Sequence, residues 1–300
     1  MMVYLKLTLT AVFWGGTFVA GRIVAREVGP FSAAFLRFLT ASICLVLITW
    51  RSEGCLPLPG RKRLVPLILL GLTGVLSYNV FFFLGLERIE AGRASLIIAN
   101  NPVFITLFSA LIFQDRLRPL AVAGILLSLS GAAVVITRGN PLAALQGGVG
   151  WGELFIFCCV LSWVAYSLIG KTVLTTLSPL VTVTWASLLG TAFLAMPACV
   201  EGLPWEIVQY NGESWVGVLY LGLFGTVAGF VWYYQGIREI GPARASQFIN
   251  LVPVSAVLLA ALILDEALTF SLLAGGGLVL SGITLTNRSS SRPVKANPSR

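Results

Sequence analysis

Residues 92–117 read GRASLIIANNPVFITLFSALIFQDRL, and residues 243–268 read ARASQFINLVPVSAVLLAALILDEAL. Laid over one another without a gap, at an offset of 151, they match Arg93-Ala94-Ser95 with Arg244-Ala245-Ser246, Pro102 with Pro253 and Leu117 with Leu268. The register runs back to Gly85 and Gly236 and to Ile89 and Ile240. It runs forward through Gly124 and Gly275 to Ser130-Gly131 and Ser281-Gly282. At an offset of 149, Trp14 falls on Trp163, Gly21 on Gly170, Arg22 on Lys171 and Pro30 on Pro179. Residues 1–138 and 149–287 are therefore two copies of one unit.

The solvent of that unit is a membrane. The chain of 300 residues is 57% hydrophobic and 11% charged, with a mean hydropathy of +0.91, far more apolar than a water-soluble domain of this size. About 20 apolar residues cross a hydrocarbon core. Such stretches fall at 7–25, 31–50, 64–84, 92–113 and 119–137 in the first copy. The second copy gives 149–169, 179–199, 214–235, 243–264 and 270–287. The expected fold is an all-α integral membrane protein of ten transmembrane helices in two five-helix repeats.

Five crossings are an odd number, so the second copy starts on the opposite face of the bilayer and the repeats are inverted. With both termini in the cytoplasm, fourteen of the twenty basic residues lie in cytoplasmic segments and five on the other side, as the positive-inside rule asks. The net charge of +8 thus reads as a topology signal, and no nucleic-acid partner is expected. The expected location is a bacterial inner membrane, with residues 288–300 as a disordered cytoplasmic tail. Lys6 followed by an apolar run resembles a signal peptide, but the run has a counterpart deep in the chain and reads as a retained helix.

Residues 13–37, FWGGTFVAGRIVAREVGPFSAAFLR, together with the stretch from Gly92, resemble an EamA-type member of the drug/metabolite transporter superfamily. The resemblance covers almost the whole chain. It implies ten helices, an inverted repeat, a central cavity lined by both halves, and export of amino acids, related metabolites or drugs.

The residues themselves indicate where a cavity would lie. Pro102 and Pro253, at equivalent places in the fourth and ninth helices, free a backbone carbonyl and should kink each helix. Paired interruptions of this kind point to a transport site, although prolines also shape bundles without binding anything. Trp14 and Thr17 share a face of the first helix, and Trp163 and Tyr166 repeat the arrangement on the sixth. Tyr78, Asn79 and Phe82 on the third helix have Tyr233 in the matching part of the eighth. Asn79, Asn100, Asn101, Gln247 and Asn250 need partners or a wet cavity at membrane depth. They are either cavity lining or interhelical glue. Gly16 and Ala20, Gly225 and Gly229, and Gly275 to Gly277 with Gly282 supply small packing faces.

Arg37 lies about 10 Å into the second span at 1.5 Å per residue, where an unpaired guanidinium is costly. Its repeat equivalent is Ala186. It either meets a substrate carboxylate or phosphate or acts structurally, snorkelling to the interface. No Asp or Glu falls mid-helix; Glu153, Asp115 and Glu266 read as helix-terminus or loop groups. That argues against obligatory proton coupling and for facilitated diffusion or exchange. The chain has no His and five Cys, four of them in apolar runs, so metal, cofactor and nucleophilic chemistry lack material. No enzyme activity is expected. The reading is a metabolite transporter of small molecules such as amino acids, with the lipid bilayer as its surroundings and no obligatory second subunit. A drug or organic-cation exporter is the alternative, and a non-transporting membrane protein a more distant one.

Overall fold

A computed structural model describes all residues except 1, 114–117, 141–149, 175, 241–244 and 291–300, and of 113, 234, 237, 238, 246, 247 and 287–290 it describes the backbone alone. Among the described residues the chain is helical throughout, with no strand. In order come α1 (Met2–Val24), α2 (Pro30–Glu53), α3 (Arg61–Arg88), α4 (Ala91–Ile98, resuming at Asn101–Phe113) and α5 (Pro119–Ile136). Then follow α6 (Trp151–Val173), α7 (Pro179–Glu201), a short turn Leu203–Glu206, and α8, composed of Gly212–Tyr220, Leu221–Ala228 and Gly229–Ile240. The last two are α9 (Ser246–Asn250 continuing as Leu251–Ile263) and α10 (Phe270–Ser290).

Among the described residues, eight helices, α1 to α8, are long and apolar enough to cross a membrane, and α9 and α10 carry shorter apolar stretches, Phe248–Ile263 and Phe270–Thr286. Large apolar side chains such as Ile43, Leu47, Leu126 and Leu262 stand exposed on the outside of the bundle, where lipid rather than water would meet them. The final helix runs to Ser290, three residues into the segment read from sequence as tail; the remaining tail residues lie outside the described ones.

Local chemistry explains the helix ends. Proline starts α2, α5 and α7, where its missing N–H costs nothing. Gly54 and Gly202 stop α2 and α7 with φ of 75° and 111°, a left-handed backbone that glycine adopts without strain.

The packing repeats as the sequence does. α1 packs on α8 and α9, while α6 packs on α3 and α4; α2 meets α8, while α7 meets α3. Each contact thus has its counterpart under exchange of the two copies. Two equivalent pairs also pack on each other, and both run antiparallel. On α2 and α7, the Ser42 and Thr191 hydroxyls lie 3.1 Å apart and those of Thr49 and Thr184 2.8 Å apart. Ser42 and Thr191 are themselves separated by 149 positions, so this contact marks where equivalent residues meet. On α5 and α10, a methyl built on Gly124 would stand 2.7 Å from the carbonyl oxygen of Gly282, and one on Gly131 would stand 2.6 Å from that of Gly275. At an offset of 151 those two contacts exchange into each other. Only glycine lets the backbones come so close, and in lipid such close packing is what holds helices together.

Candidate functional site

Two π-helical stretches face each other's repeats at mid-bundle: Gly71–Ser77 in α3 and Leu221–Ala228 in α8. A π-helix widens the helix and leaves carbonyls without their usual partners. Asn79 Nδ2 donates to the carbonyls of Gly74 (3.2 Å) and Val75 (2.8 Å) in α3, and Thr226 Oγ1 donates to Leu221 (3.0 Å) in α8. Each widened stretch receives a side chain from the helix packed on it. Thr17 of α1 seats against Gly225, and Tyr166 of α6 seats against its equivalent, Gly74. Trp14 Nε1 donates to the Gly225 carbonyl at 2.9 Å, which ties α1 to α8.

Arg37 enters the same place from α2. It is 8% exposed, its Nε donates to Thr226 Oγ1 at 3.3 Å, and its carbon lies 5.4 Å from the centroid of Phe38. It stands within electrostatic reach of Tyr78 and Cys159. Neither ion pair among the described residues involves it. From Tyr78 an aromatic string crosses between the copies: Tyr78 stacks on Phe82 at 6.1 Å and meets Trp163 at 5.2 Å, and Trp163 meets Tyr166 at 5.2 Å. Trp14 and Tyr233 form a second contact at 5.3 Å.

The structure therefore brings Trp14, Thr17, Arg37, Tyr78, Phe82, Trp163, Tyr166 and Tyr233 into one zone. Asn79 lies in this zone; its Nδ2 is engaged by its own helix, while its Oδ1 is buried without a partner among the described residues. Asn100 sits where α4 breaks, just before Pro102. Its amide donates to the carbonyls of Leu96 (3.0 Å) and Ile97 (3.3 Å), and its Oδ1 accepts from Ser128 of α5 at 2.8 Å. These are the bonds of glue, not of a free cavity wall. Asn101 is half-buried, with its Oδ1 unpartnered among the described residues. Asn250 is half-buried at the end of the 3-10 turn that opens α9, three residues before Pro253. The side chain of Gln247 lies outside the described ones. An open surface groove runs along Leu280, Ser281, Thr284 and Leu285 of α10, none of which belongs to the aromatic zone.

One end of the bundle carries a second set of polar contacts. Glu201, at the end of α7, accepts from the backbone N–H groups of Phe31 (3.2 Å) and Ser32 (2.6 Å), which open α2. Glu266 accepts from those of Ala91 (2.7 Å) and Gly92 (2.9 Å), which open α4. Glu27 accepts from Asn211 N–H at 3.2 Å and from the Ser214 hydroxyl, at the start of α8. Each carboxylate satisfies helix N-terminal donors of the other copy, where the helix dipole favours negative charge. Glu153 accepts from Gly150 N–H at 3.0 Å and pairs with Arg93 Nη1 at 2.8 Å. Arg93 also donates to the Ile136 carbonyl. Both side chains of that pair are buried, so Glu153 is more than the helix-terminus group its position suggested. Nearby, burial and then the Glu206 carboxylate raise the phenol of Tyr210 above its ordinary range. Sequence reasoning missed Glu27 and Glu201 altogether. The available signal was a helix start such as Gly29-Pro30, with no side chain of its own to cap it.

The profile of the EamA-like transporter family matches residues 1–137 and again residues 150–288. The chain belongs to the EamA-like transporter family. Its relatives in that family include the "Uncharacterized transporter YyaM" of Bacillus subtilis, 28% identical over 94% of this chain and 92% of that one. An "Uncharacterized transporter" of Archaeoglobus fulgidus is 30% identical over 96% and 99%. The "Probable terminal-alkyne amino-acid exporter" of Streptantibioticus cattleyicolor is 30% identical over 94% and 92%. A solved crystal structure superposes with a TM-score of 0.63 at 22% identity, covering 95% of this EamA-like chain and 98% of its own, which establishes likeness of fold. This protein is a multi-pass membrane transporter.

Proposed function

We propose that this transporter exports small metabolites such as amino acids across a bacterial inner membrane. It works by alternating access between two inverted five-helix repeats, with ten spans and both termini in the cytoplasm. The observation that carries the reading is the antiparallel meeting of equivalent helices: Ser42 on Thr191, and Gly124 with Gly282 exchanging for Gly131 with Gly275. Two copies joined in this way have two related arrangements of similar energy, which rocking of one repeat against the other interconverts. Arg37 and the aromatic string sit where those copies meet and supply the binding residues. A relative named as an amino-acid exporter at 30% identity supports the choice of cargo. The carboxylates at the helix starts join the copies at the end that the basic residues put outside, so they close that end. Opening must release them.

The experiment is a comparison of metabolites retained and secreted by cells with and without the protein. Secretion of one or more small amphiphilic metabolites should fall when the chain is absent. Identical retained and secreted pools would contradict the proposal.

A further inference from the structure

The joint that holds Arg37 exists twice, and the two versions differ in chemistry. In one, the Arg37 carbonyl oxygen would lie 3.0 Å from a methyl on Gly222; in the other, the Ala186 carbonyl oxygen would lie 3.2 Å from a methyl on Gly71. These are equivalent residues on equivalent helices, so the backbone joint between α2 and α8 is repeated between α7 and α3. Above the first joint stand Arg37, Thr226 and Thr17. Their equivalents above the second are Ala186, Val75 and Tyr166. One arm of the site is cationic and hydroxylated, the other apolar and aromatic.

The cationic arm is also incomplete. Thr226 occupies Arg37 Nε, and neither Nη group makes a hydrogen bond or ion pair among the described residues, although the side chain is more than nine-tenths buried. Nη2 lies 3.7 Å from where a side chain on Gly225 would begin. Two parallel donors left free in a buried guanidinium match the two oxygens of a carboxylate. A charge at this depth is costly until an anion arrives, which favours occupancy.

Of the twelve acidic side chains in the chain, those among the described residues all sit at helix ends or in turns. A substrate ammonium therefore has no carboxylate to meet in this zone, whereas an apolar body has the string from Tyr78 through Trp163 to Tyr166.

We propose that the site, on the reading given above, selects small monocarboxylates bearing an aromatic or other apolar body. The carboxylate lies on Arg37 and the body reaches toward Tyr166, and recognition is indifferent to the α-ammonium group. N-acylated amino acids then qualify as cargo and amino-acid amides do not.

Full-length protein in proteoliposomes loaded separately with N-acetyl-L-phenylalanine, L-phenylalanine and L-phenylalaninamide tests this. The first two should leave the vesicles at comparable rates and the amide should remain. Arg37→Gln should raise the apparent KM for both carboxylates about tenfold to a hundredfold, the loss of a charge-assisted pair. Thr226→Val, which keeps the shape and removes the group that orients Nε, should raise the same KM by a smaller factor with little change in maximal rate. It carries the test if Arg37→Gln does not fold. Tyr166→Leu should reduce the preference for N-acetyl-L-phenylalanine over N-acetyl-L-alanine while leaving the amide excluded. Flux of the amide equal to that of the carboxylates would overturn the proposal and leave transport standing. So would variants that keep the wild-type ratios, or a protein that moves other metabolites but none of these three. A protein that moves nothing, here or in the secretion comparison, removes both.

Discussion

Removing one partner of the Arg93–Glu153 pair should damage the fold more than removing both. The two groups are 2.8 Å apart and their side chains are 4% and 6% exposed, so neither can rehydrate in place. Arg93 Nε already lacks a partner, and its second terminal nitrogen is committed to the Ile136 carbonyl. Glu153→Leu leaves a buried guanidinium with one neutral acceptor, and the cost of an orphaned buried charge is about 3–5 kcal/mol. Arg93→Met leaves Glu153 with the Gly150 N–H, a weaker replacement, and should cost a similar amount. The double variant loses both charges together with their mutual attraction, and apolar replacement of buried pairs is often close to neutral. The coupling energy should therefore be at least about 2 kcal/mol in favour of the pair. Reversible unfolding of the four proteins in mixed micelles measures it. Additive single and double effects, with coupling below about 0.5 kcal/mol, would show that the pair does not act as a unit.

Glu201→Gln should weaken the cap on α2 and raise the rate at which a cysteine at Ser32 reacts with a maleimide added from outside. An unchanged rate would contradict a closed outer end. Gly131→Val should force α5 and α10 apart, since its first methyl would already lie 2.6 Å from the Gly275 carbonyl oxygen; folded protein recovered in detergent should drop sharply, and wild-type yield would refute that packing. Asn100→Ala should cost about 1–3 kcal/mol by leaving the broken turn of α4 short of a partner and the Ser128 hydroxyl with only its long contact to the Val279 carbonyl at 3.4 Å, read by the same unfolding assay; no loss would return Asn100 to the cavity wall. A pH jump across proteoliposomes should not by itself drive uptake, because among the described residues no carboxylate sits mid-helix to relay protons. Uptake that follows the proton gradient would overturn that.

The fold was legible because duplication is written in small and breaking residues. Gly124, Gly131, Gly275 and Gly282 keep their spacing in both copies because each must admit a backbone, and nothing larger fits. The zone around Arg37 was legible for a similar reason, since Trp14, Thr17, Tyr78, Trp163 and Tyr166 are too polar or too large for plain lipid contact at mid-span. Residues such as Asn79 and Asn100 were harder to read. An amide looks the same in sequence whether it faces a cavity or closes a π-bulge, and only the carbonyls freed by Gly71–Ser77 and by the break before Pro102 decide the matter. The cross-copy caps were illegible for a different reason. Glu27 and Glu201 lie 174 positions apart and act on helix starts that carry no mark beyond the lack of a local cap.

Inversion is tested most directly by the turns after α1 and α6, which are equivalent in the two copies. In a variant lacking the five native cysteines, single cysteines at Arg26 and at Thr176 should react with a membrane-impermeant maleimide from opposite faces of the membrane, Arg26 from outside and Thr176 from the cytoplasm. Labelling of both from the same face would contradict the inverted repeat and the alternating access built on it.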